Sequence, residues 1–167
     1  MSGSANTIIF DTVTHSPEET EALGAQLAEM LAAPEDSEKT DNFASDKALP
    51  RFVALYGDLG VGKTAFVRGF CSVASPGSAV RSPTFALVNE YRHGERPVFH
   101  FDMYRITDDD ELYSIGFYDY EARGGFCLAE WCENIPWAIP ERHLRVDISK
   151  TAAEGDRRVV ATVCGRD

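Results

Sequence analysis

The run Gly57-Asp58-Leu59-Gly60-Val61-Gly62-Lys63-Thr64 combines the residue types that hold a phosphate chain. It matches G-x-x-x-x-G-K-[ST], a spacing that chance supplies roughly 0.01 times in a chain of this length, so the match counts as signal. Glycines let backbone N–H groups close around phosphate oxygens, and the N-terminus of a following helix adds partial positive charge. Lys63 brings a mobile point charge for the β and γ phosphates, and the Thr64 hydroxyl is a candidate magnesium ligand.

A phosphate-bound magnesium calls for a carboxylate at the end of a neighbouring buried strand, and two residues compete for that place. Glu130 ends the apolar run Phe126-Cys127-Leu128-Ala129, the pattern of a Walker B element. Asp102 shares a strand face with His100 and Tyr104. It either positions an attacking water or holds the magnesium shell, unless it is a structural ion-pair partner of Arg105 or Lys63. His100 and Asp102 lack a third ligand at metal spacing and are not read as a metal pair. Ser82-Pro83-Thr84 offers hydroxyls either to a segment that senses a γ-phosphate or to a plain turn. Trp131 is a candidate platform for adenine or ribose, or else core or partner surface. The basic clusters Arg142-His143-Arg145 and Arg157-Arg158 read as solvated faces or phosphate neighbours rather than an RNA platform.

The positioning elements follow from periodicity. A strand at Ile8 to Phe10 precedes a helix start at Ser16, Pro17 and Glu19, with Leu23, Leu27, Met30 and Leu31 on one face. The acidic, aperiodic stretch 33–50 reads as a surface-loop insertion within one domain spanning 1–167. A strand at Arg51 to Tyr56 and a helix from Ala65 to Ala74 flank the glycine-rich run. Strands are predicted at Thr84 to Tyr91, Pro97 to Arg105, Phe126 to Glu130, Leu144 to Ile148 and Arg157 to Val163. Short helices are predicted around Asp108 to Ile115 and Tyr118 to Arg123.

The chain has 167 residues, 16 basic and 27 acidic, for a net charge of -11, which disfavours direct charge-driven binding to a polyanion. No apolar run approaches the ~20 residues of a membrane span, and the first residues lack the pattern of a secretory signal, so a cytoplasmic location is expected. Cys71, Cys127, Cys132 and Cys164 are too unevenly spaced for a disulfide framework and read as buried reduced thiols.

The segments GDLGVGKTAFVRGF, SPTFALVNEY, HFDMYRI, ELYSIGFYDY, CLAEWCENIP and HLRVDIS, in this order and at these separations, resemble the bacterial TsaE (YjeE) family of ATPases. The resemblance implies an α/β fold, a P-loop NTPase-like three-layer sandwich with a mainly parallel central sheet and antiparallel additions. It implies a role in making N6-threonylcarbamoyladenosine at position 37 of tRNA. ATP hydrolysis would reset the TsaD–TsaB complex between turnovers, with tRNA met only through that complex. Carried onto this chain, it makes 57–64 the phosphate loop for ATP and ADP, Thr64 and Glu130 the magnesium-linked pair, and Asp102 a residue needed for hydrolysis. Thr84 falls in the switch-like segment. Cys132 departs from the family, which commonly has Pro there, and the 33–50 insertion departs as well.

Two other readings share the loop: a small-molecule or nucleoside kinase, and a nucleotide-gated binding module without turnover. A GTPase is disfavoured because no N-K-x-D segment occurs.

Overall fold

Short β-branched and aromatic runs alternate with amphipathic stretches along the chain, and in the computed structural model they form one seven-stranded mixed sheet with helices. The structure describes residues 6–32, 49–58 and 60–165. Leu59 and nearly all of the 33–50 insertion lie outside the described residues. In chain order the elements are β1 (Thr7–Thr14), α1 (Pro17–Ala32), β2 (Phe52–Tyr56), α2 (Lys63–Ala74), β3 (Val88–Tyr91), β4 (Val98–Asp102), α3 (Asp109–Ser114), β5 (Phe126–Glu130), β6 (His143–Lys150) and β7 (Arg157–Cys164).

The strand order is β1-β7-β6-β2-β5-β4-β3. The inner four strands run parallel, whereas β1–β7, β7–β6 and β4–β3 pair antiparallel. The sheet is therefore mixed, with the expected parallel centre and antiparallel additions at both edges. The links β3–β4 and β6–β7 are short hairpins, and parallel pairing needs a crossover of a dozen or more residues.

Alternation along each inner strand divides the apolar side chains between two faces. Val53, Leu55, Leu128 and Val146 meet Phe66 and Phe70 on the α1–α2 side, while Phe52, Ala54, Phe99 and Phe101 meet Leu112, Phe117 and Ile135 on the other. On β4 the same alternation places His100 and Asp102 on the side of Val98, which belongs to the α1–α2 core.

Helix starts follow the capping signals. The Glu19 N–H donates to Ser16 Oγ at 3.2 Å, and the Glu19 carboxylate accepts from the His15 N–H. At α3 the Asp108 carboxylate accepts from the Glu111 N–H at 2.9 Å. Three predicted elements come out shorter. The strand predicted from Thr84 begins only at Val88, because the Leu87 N–H donates to Pro83 O at 2.8 Å and closes a turn with Leu87 at φ 67°. The strand predicted to Arg105 ends at Asp102, where the Ile106 N–H turns back to Met103 O at 3.2 Å. The helix predicted over Tyr118 to Arg123 is a single 3-10 turn at Phe117–Asp119 followed by turns, since Gly116 and Gly124, both at positive φ, bracket too short a span. Two further 3-10 turns after β5, Cys132–Asn134 and Pro136–Ala138, carry no periodicity long enough to predict.

Helices α1 and α2 touch through glycines. A Cβ on Gly69 would lie 1.7 Å from Glu21 O, and one on Gly24 would lie 2.1 Å from Phe66 O. G69A should therefore push the helices apart at a cost of about 2 to 3 kcal/mol, lowering Tm by roughly 4 to 12 °C in calorimetry. A Tm within 1 °C of the parent would contradict the contact.

All four cysteines are free and buried. Burial pushes the Cys71 thiol up to about 12 and raises the Cys127 and Cys132 thiols as well. Cys132, fully buried, donates its S–H to Ala129 O at 3.1 Å. At pH 8 a disulfide reagent such as DTNB should leave these three thiols unmodified in the native protein and titrate all four in denaturant. Fast stoichiometric labelling of the native state would contradict the burial.

Candidate functional site

The C-terminal ends of β2, β4 and β5 lie side by side, the place where open α/β sheets form their ligand crevices. The chain leaves β2 through Gly57 at φ 146°. A Cβ there would stand 2.4 Å from Ile148 O and 2.7 Å from Val61 Cγ2, so only glycine fits. The Val61 N–H donates to Asp58 O at 3.3 Å, and Val61 O accepts from Arg157 Nε at 3.1 Å, which clips the loop to β7. Gly62, left-handed at φ 113°, then delivers the chain into α2, which starts at Lys63 rather than Ala65. Asp58 and Gly60 are exposed.

Lys63 is buried beneath this loop. Its ammonium donates to Gly57 O and stands 3.5 Å from the Trp131 ring centroid, a cation–π contact. Burial lowers its pKa, and the surrounding carboxylates of Glu133, Glu130, Asp102 and Asp58 oppose that shift. Thr64 Oγ1 lies 3.4 Å from both carboxylate oxygens of Glu130. Glu130 and Asp102 are register partners at the ends of β5 and β4, and both are buried. The Asp102 carboxylate accepts the Tyr104 N–H at 2.9 Å, so the contact that fixes it is to backbone rather than to Arg105 or Lys63.

The Thr64 hydroxyl and Glu130 carboxylate are hard oxygen donors facing one another, a donor set that fits magnesium. Among the described residues no group of three or more His, Cys, Asp or Glu could hold a metal without other ligands. The remaining positions on such an ion would fall to phosphate and water.

The structure thus brings together 57–58, 60–64, Asp102, Glu130 and Trp131. Trp131 sits at the Lys63 end of the loop, with its ring 5.0 Å from that of Tyr104. The Thr84 hydroxyl is 3.0 Å from Ser82 Oγ, and its segment is tied to the site through the Asp102 N–H, which donates to Leu87 O at 3.0 Å. Among the basic residues, Arg158 pairs with Asp11, and Arg145 pairs with Asp147 while stacking on Tyr56. A hollow lined by Arg92, Gly94, Glu95, Pro97 and Arg123 opens at the opposite end of β4, away from all of these groups. Sequence reasoning missed the Arg157 clip and the contact of His100 with Glu130. Alternation did place His100 on the Asp102 face, but the cross-strand partner depends on register.

Residues 14–159, which contain every one of these site residues, match the family model described as threonylcarbamoyl adenosine biosynthesis protein TsaE. The chain belongs to the TsaE family. Its relatives include the tRNA threonylcarbamoyladenosine biosynthesis protein TsaE of Bacillus subtilis, 35% identical over 152 residues that cover 91% of this chain and 84% of the relative. The TsaE of Haemophilus influenzae is 39% identical over 104 residues, 62% of this chain and 65% of that one. The crystal structure of Bacillus subtilis YdiB superposes with a TM-score of 0.66 at 27% identity, covering 99% of this chain and 90% of that one. With TsaE relatives matching along most of the chain, the mixed sheet and its glycine loop are features of a whole family domain rather than a borrowed motif.

Proposed function

We propose that the chain is a magnesium-dependent ATPase of tRNA threonylcarbamoyladenosine biosynthesis, built as a P-loop NTPase-like three-layer sandwich in one domain. It acts in the cytoplasm on a TsaD–TsaB complex to support repeated turnover, and meets tRNA only through that complex. The observation that carries this reading is the convergence of Lys63, Thr64, Glu130 and Asp102 on one glycine loop at the strand ends. Membership of the TsaE family supplies the pathway.

In this mechanism ATP lies along 57–64, with loop N–H groups and Lys63 aimed at the phosphate oxygens where charge develops. To reach them, Lys63 exchanges its bond to Gly57 O for phosphate. Asp102 has one carboxylate oxygen held by the Tyr104 N–H, and the other orients a water toward the γ-phosphorus. Thr64 and Glu130 would hold magnesium, which when bound neutralises charge on the β and γ oxygens. Trp131 packs on Lys63 and keeps its ammonium beneath the loop.

The test is phosphate release from magnesium ATP by the purified protein, alone and with TsaD–TsaB, alongside the yield of threonylcarbamoyladenosine on tRNA. Release that rises with the pair and accompanies multiple modifications per complex is the expected outcome. Release indifferent to the pair, with modification unchanged, would overturn the coupling. Phosphate appearing on an acceptor instead of in solution would select a kinase.

A further inference from the structure

We propose that His100 is a positioning residue, which orients the Glu130 carboxylate toward the metal through a buried hydrogen-bond chain anchored on the backbone of Arg81. The inference rests on Thr64 and Glu130 being the magnesium pair, and it adds a residue that takes no part in that pair.

His100 is fully buried on β4. Its Nε2 is 2.5 Å from Glu130 Oε2, and its Nδ1 is 3.1 Å from the Tyr91 hydroxyl. The Tyr91 oxygen in turn lies 3.4 Å from the Arg81 N–H and 3.3 Å from Arg81 O. The Asn89 side-chain amide donates to that same Arg81 carbonyl at 3.0 Å.

A carboxylate only accepts, so the His100 Nε2 that faces Glu130 is the donor. The Arg81 N–H donates to the Tyr91 oxygen, and the Tyr91 hydroxyl stands between Arg81 O and His100 Nδ1. Each link fixes the next, so the orientation of a carboxylate at the end of β5 is set by backbone that precedes β3. Oε2 is thereby engaged by His100, while Oε1, with no bond to the imidazole, is left for an ion beside Thr64, whose hydroxyl stands 3.4 Å from both oxygens. Partners of this kind on a ligating carboxylate typically change metal affinity or activity by about 10- to 100-fold when removed.

The test combines two measurements. The first is the tautomer of His100 in nucleotide-free protein, read from long-range 1H–15N correlations of 15N-labelled histidine. A proton on Nε2 is expected, and an Nε2 that carries none would overturn the chain. The second is the magnesium concentration that half-saturates ADP-loaded protein, by calorimetry, with ADP affinity in EDTA as the reference. H100F should leave ADP affinity in EDTA within about twofold and raise half-saturating magnesium about 10-fold. Y91F should move it in the same direction by about threefold, and H100Q, which retains an N–H donor, should fall between H100F and the parent. Magnesium requirements within twofold of the parent in all three variants would overturn the positioning role. If H100F fails to fold, Y91F decides, because it removes only a hydroxyl. An unaltered protein that binds no ADP would bring down the proposed function instead, and the nucleotide-free spectrum would still decide the proton arrangement.

Discussion

In K63A, phosphate release from magnesium ATP is expected to fall by about 10³-fold or more, the scale reached when one preorganised donor is removed from a site where charge develops. The reason is local. Lys63 is the cation buried under the loop, its ammonium donating to Gly57 O and lying over the Trp131 ring. Glu133, Glu130, Asp102 and Asp58 surround it, so a triphosphate entering without that ammonium would meet four carboxylates with one cation fewer to offset them. Nucleotide affinity should fall together with turnover. K63R should not rescue, since a planar guanidinium cannot take the place of a compact ammonium between Gly57 O and the indole. Turnover unchanged in K63A would falsify the assignment of 57–64 as the ATP loop.

The second large effect separates chemistry from binding. D102N keeps the shape of the side chain and an oxygen to accept the Tyr104 N–H, so the fold and the end of β4 should be retained. What it loses is the negative charge that orients and polarises water, a contribution of about 10²- to 10⁴-fold. The expected result is kcat reduced on that scale with ADP affinity within about twofold of the parent, measured by single-turnover hydrolysis and calorimetry. Equal losses in kcat and ADP affinity would instead make Asp102 a binding or structural residue.

Much of this was legible before any coordinates. Strand β5 was read residue for residue, because Phe126-Cys127-Leu128-Ala129 is apolar on both faces and Gly124-Gly125 marks its start. The glycine loop was legible because its spacing reflects a backbone requirement, visible at Gly57. Asp102 and Glu130 were each legible as strand-end acids, but their adjacency was not, because register between β4 and β5 is a tertiary fact. The 84–87 turn was missed because Leu87 adopts a left-handed conformation that its residue type does not advertise. The Gly24–Gly69 contact was equally hidden, since a glycine inside a helical pattern does not name what crosses it.

The strand order also bears on how the protein is made. Strand β2, which launches the loop, is central, yet both its neighbours, β5 and β6, and the Arg157 clip come from later in the chain. During synthesis at ~5–20 residues per second, Phe52–Tyr56 therefore leaves the ribosome seconds before anything can pair with it. A nascent chain that carries the complete 57–64 motif still lacks Glu130 on β5 and the Arg157 contact from β7, so under the proposed function it would not yet offer ATP the assembled site.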